Sequence, residues 1–77
     1  MKTVKDLKRL TRARSFAESG AARSIRIAAD LSLREVASAA GVSVSTLWRW
    51  ENQQRRPRGD AAIRYSQVLD ELMESRR

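Results

Sequence analysis

The 77-residue sequence predicts an all-α fold of about five short helices. Three observations carry this expectation. Apolar residues recur at three- and four-residue spacing in successive stretches, the period of a helix with one inward face. A residue able to cap a helix start stands ahead of each stretch: Thr3, Ser19, Ser32, Ser43 or Ser45, and Asp60. From Leu31 to Arg58 the chain reads LSLREVASAAGVSVSTLWRWENQQRRPR, two short helices about a tight turn.

The first helix is expected over residues 3–18, where Val4, Leu7, Leu10 and Ala17 make a loose apolar stripe. Lys2, Lys5, Lys8, Arg9, Arg12 and Arg14, against only Asp6 and Glu18, make this the most basic part of the chain. Residues 1–18 therefore read as a basic helix or arm, either solvated or in contact with phosphates, and residues 19–77 as one compact domain. Ser19-Gly20 breaks the pattern, and a second helix to about Ala29 turns Ala22, Ile25 and Ala29 inward. Arg23 and Arg26 fall beside that stripe, so at least one lies partly inside and needs a partner, for which Glu51 is the candidate.

A third helix over residues 33–40 places Leu33, Val36, Ala37 and Ala40 on one face and stops at Gly41. The fourth, over residues 44–53, is the informative one. At about 100° per residue, Ser43, Leu47, Trp50 and Gln54 share one side, and Val44, Ser45, Trp48, Arg49 and Asn52 the other. That second side suits base edges: an arginine for guanine O6 and N7, a valine for the thymine methyl, a serine for either kind of edge. Trp48 packs on sugar or phosphate, or helps seat the turn. The run QQRRPRGD that follows reads as a loop, and its arginines sit where they can meet the DNA backbone without reading sequence. Ser32, Ser43, Arg55, Arg56 and Arg58 are the candidate phosphate contacts. In the last helix, capped by Asp60, Ala61, Ala62, Tyr65, Val68, Leu69, Leu72 and Met73 span an arc of about 140° that closes the core. Ile63 falls off that arc as a lone exposed apolar residue, and Asp70, Glu71 and Glu74 cluster near the end.

Residues 31–57 resemble the Xre/Cro-like family of helix-turn-helix DNA-binding proteins, whose domain is of the lambda-repressor-like kind. The resemblance rests on LS before the third helix, GVS at the turn, LWRWE ending in Glu51, and Pro57 after a basic loop; with Arg26 and the last helix it covers about residues 21–72. It implies an ion pair between Arg26 and Glu51, and it leaves the first helix as an addition. Two residues depart from the pattern. Leu33 stands where many members have a phosphate-contacting glutamine, and Gln53 where many have the helix-ending glycine.

Composition narrows the function further. Sixteen Lys and Arg against nine Asp and Glu, a net charge of +7, suit a polyanionic partner. The sequence has no Cys and no His, which removes thiol and imidazole catalysis, disulfides and the usual zinc-ligand patterns. The expectation is a protein without catalytic residues, metal, cofactor or small-molecule ligand, whose partner is double-stranded DNA. No apolar run reaches the roughly 20 residues of a membrane span, so a cytoplasmic location is expected. As a small phage or prokaryotic transcriptional regulator of the Cro or repressor kind, it would act as a monomer or homodimer. Two other readings stay open: an antitoxin covering a toxin, and a DNA-bending accessory factor in recombination.

Overall fold

The computed structural model describes residues 2–75, so Met1, Arg76 and Arg77, at the ends of the two segments read from the sequence, lie outside it. The described residues form five helices and no strand: α1 Val4–Ser19, α2 Ala21–Ala28, α3 Leu33–Ala40, α4 Val44–Glu51 and α5 Gly59–Glu74.

Local chemistry sets most of the boundaries. Thr3 and Asp6 form a reciprocal capping box at the start of α1, and Ser32 and Glu35 form another at the start of α3. The α4 cap is Ser43, not Ser45: its Oγ accepts from the Thr46 N–H at 3.1 Å. Gly41 closes α3 in the left-handed conformation, φ +73°, which a side chain would strain. Three boundaries differ from expectation. Ser19 is the last residue of α1, and α2 starts behind Gly20 with no side-chain cap, although Ser19 Oγ accepts from the Ala21 N–H at 3.2 Å. Asp60 lies in the first turn of α5 and caps nothing; its carboxylate pairs with Lys2 at 2.5 Å. The fourth helix stops at Glu51 rather than residue 53, because Gln53 itself takes a left-handed φ of +57°, the conformation a glycine would adopt at lower cost.

The core is built from Ala13, Ala22, Val36, Ala37, Ala40, Leu47, Trp50, Ala62, Tyr65 and Leu69. Five of the ten are alanines, so the helices approach closely and two rings fill the centre: Trp50 and Tyr65 pack with centroids 5.1 Å apart, tilted by 39°. Three expectations about inward faces fail. On α1 the buried residues are Ala13 and Ala17, whereas Val4 and Leu7 are 71% and 50% exposed. On α5 Ile63 is buried, not exposed, and Met73, expected on the inward arc, is 41% exposed.

α1 is tied to the rest along its length. Following the chain from α4, Gln53 Nε2 donates to Ala17 O at 2.8 Å, and Arg14 Nε donates to Pro57 O at 2.8 Å. Asp60 then meets Lys2. The segment 53–60 thus runs back along α1 toward its start. α5 then advances in step with α1, and Arg12 Nε reaches Asp70 Oδ1 at 2.8 Å, ten residues further along each stretch of chain than the Lys2–Asp60 pair.

Candidate nucleic-acid interface

α4 has one committed face and one free face. Leu47, Trp50 and Glu51 are buried and fix its rotation against the core. Val44, Ser45, Trp48 and Arg49 consequently point outward, with Trp48 48% and Val44 37% exposed. A helix with its side chains is about 10–12 Å across, which fits the roughly 12 Å width of a DNA major groove. Asn52, grouped with this face from the sequence, is exposed but belongs to the C-cap: its Nδ2 donates to Trp48 O at 2.9 Å. A two-bond grip on adenine would require breaking that contact.

The helix is braced at both ends. At the C-terminal end Arg26 Nε and Nη2 donate to Glu51 Oε2 and Oε1 at 2.7 and 3.0 Å, and Arg26 Nη1 donates to Leu31 O at 2.9 Å. The expected ion pair is present and lies largely inside the protein. Its hydrogen bonds to Glu51 hold the Arg26 pKa above the ordinary arginine value, against the opposing effect of burial. At the other end, Arg64 of α5 donates from Nε to Ala40 O at 3.0 Å, beside the Gly41 turn. A cation there satisfies an orphan carbonyl at the negative end of α3. No local pattern in the sequence pointed to Arg64, since its partner lies 24 residues away.

The basic loop lies beside this surface. Arg55, Arg56 and Arg58 are exposed, and Arg56 stands 4.0 Å from the equally solvent-facing Glu18. Ser32 and Ser43 are exposed at the starts of α3 and α4, where each side chain accepts a backbone N–H. The Ser43 hydroxyl also donates to Thr46 Oγ1 at 2.9 Å. In the Ser32 cap, the backbone N–H and then the hydroxyl of Ser32 hold the Glu35 carboxyl below its usual pKa.

Among the described residues no group of His, Cys, Asp or Glu is arranged to hold a metal ion, and no helix is long and apolar enough to cross a membrane. The exposed face of α4, followed by the exposed arginines of the loop, suits a polyanion with a groove.

A helix-turn-helix family model matches residues 23–73, more than half of the chain, from within α2 to near the end of α5; α1 lies outside the match. No significant match was found among curated proteins or among solved structures. The turn at Gly41, the anchored α4 and the extent of the family match agree, and the chain belongs to the Xre/Cro-like family of DNA-binding helix-turn-helix proteins.

Proposed function

We propose that the protein binds double-stranded DNA sequence-specifically, with α4 in the major groove, as a small transcriptional regulator of the Cro or repressor kind. The observation that supports this best is the exposed row Val44, Ser45, Trp48 and Arg49 on a helix locked from behind by Leu47, Trp50 and Glu51. Arg49 carries the paired donors that recognise guanine, and Val44 and Ser45 supply shorter contacts. Arg55, Arg56 and Arg58, with Ser32 and Ser43, hold phosphates and set the register. In this reading the basic segment 1–18 and residues 19–77 act as one unit, since Ala13 and Ala17 of α1 are buried.

The antitoxin reading needs an apolar surface away from α4. Ile63 is buried and the guanidinium of Arg12 lies 4.8 Å above the Phe16 ring; the large apolar residues exposed away from α4 are Val4 at 71%, Leu7 at 50%, Ile27 at 54% and Met73 at 41%, spread over α1, α2 and α5. This is thinner support than the α4 face gives to a regulator.

Selection of bound duplexes from a random pool tests the proposal. A short motif should emerge, bound at least about 1,000-fold more tightly than scrambled DNA. Equal binding to all duplexes would leave only a non-specific polyanion binder.

A further inference from the structure

The reading face is not flat. Leu33, at the start of α3, joins Val44, Ser45, Trp48 and Arg49 of α4 around an open hollow of about 290 Å³. Three of its five walls are apolar, and the fifth is the side chain best suited to guanine. A helix docked in the major groove would bring this hollow against base edges. Those edges are otherwise donors and acceptors; the one apolar group they present is the 5-methyl of thymine. The 5-methyl of a methylated cytosine occupies the same place. Because successive bases on a strand are about 3.4 Å apart, a hollow that shares Arg49 as a wall faces the base pair next to the guanine Arg49 holds.

We infer that the hollow formed by Leu33, Val44 and Trp48 beside Arg49 is a 5-methylpyrimidine pocket, so that the site read by α4 contains a thymine or 5-methylcytosine adjoining the guanine. The inference rests on the proposal that α4 reads DNA. It adds that the protein senses a single methyl group, and that cytosine methylation at this position strengthens binding.

The test uses the full chain and duplexes altered one atom group at a time. In a site selected from random DNA, Arg49→Ala identifies the guanine by loss of preference at one pair. The neighbouring thymine is then replaced by uracil, and in a second arm the same position carries cytosine or 5-methylcytosine opposite guanine. Removing the methyl should weaken binding about fourfold in each arm, about 0.8 kcal/mol for one buried methyl group. Val44→Ser should shrink both ratios toward one. If a site is selected and Arg49 reads guanine in it, but uracil equals thymine and methylation changes nothing, the pocket is wrong and the DNA reading stands. If no site is selected, both fall. Loss in the uracil arm with no gain in the methylcytosine arm overturns the methylation claim.

Discussion

Arg26 and Glu51 meet in a two-bond ion pair whose side chains are 13% and 2% exposed, and it ties α2 to the end of α4. A third guanidinium nitrogen is satisfied by Leu31 O, so the arginine enters the domain with little of its hydrogen-bonding capacity wasted. The charges offset each other's burial only while both are present. Glu51→Gln or Arg26→Met alone should cost roughly 3 kcal/mol or more in urea unfolding. The double variant should lose less than the two singles sum to, and a coupling below about 0.5 kcal/mol would remove the pair as a stabilising unit.

Tyr65 is fully buried, and its hydroxyl has no hydrogen-bond partner. Burial first, and then the nearby Glu51 charge, raise its pKa above the ordinary tyrosine value. A raised folded-state pKa means that the contribution is fully present below the unfolded value near 10 and is lost as pH rises toward the folded value. Stability should therefore fall above about pH 10. Tyr65→Phe should remove that part of the fall and leave stability at pH 7 unchanged or slightly higher, since it deletes an unsatisfied polar atom. Tyr65 is the single tyrosine, so the ultraviolet absorbance of tyrosinate follows it alone. Titration near the ordinary value in the folded protein would contradict the burial.

Gly41 holds φ +73°, and a Cβ there would lie 3.1 Å from Arg64 Nη2 and 3.2 Å from Arg64 Nε. Gly41→Ala should cost about 1–2 kcal/mol from backbone strain alone. It should also disturb the Arg64–Ala40 bond, so combining it with Arg64→Ala should cost less than the separate losses together. Full additivity in thermal unfolding would show that the arginine is indifferent to the turn.

Removing residues 1–18 uncovers the surfaces that Ala13 and Ala17 cover, and it deletes the Arg14–Pro57 and Arg12–Asp70 contacts. The truncated chain should lose most of its cooperative thermal transition. An unchanged transition with uniformly weaker DNA binding would mean that α1 is a basic arm and not a structural helix.

The helix-turn-helix was legible because its signals are local: a capping serine, a four-residue stripe, a glycine at the turn and a serine three residues after α3 ends. The stripe on α2 asked only for a partner for Arg23 or Arg26; the family resemblance is what singled out Arg26 with Glu51. Local pattern failed where tertiary contacts decide. Val4 and Leu7 look like an inward stripe with Leu10, but close packing of Ala13 and Ala17 sets the rotation of α1 and turns them out. Ile63 lies off the main arc of α5 yet is buried; α5 packs against α1, α2 and α3, so one arc does not describe its inward surface. Gln53 could not be placed from propensity, since its left-handed backbone is supported by a side-chain bond to Ala17 O, 36 residues away.

The most direct test separates reading from holding. Binding isotherms of Arg49→Ala and Arg55→Ala on a selected duplex and its scrambled counterpart, at several salt concentrations, measure both roles at once. Arg49→Ala should lose about 1–3 kcal/mol mainly on the selected site and relax the choice at one base pair. Arg55→Ala should weaken both duplexes alike and lower the salt slope by about one unit. Equal loss on both duplexes for Arg49→Ala would contradict sequence reading by α4 through this arginine.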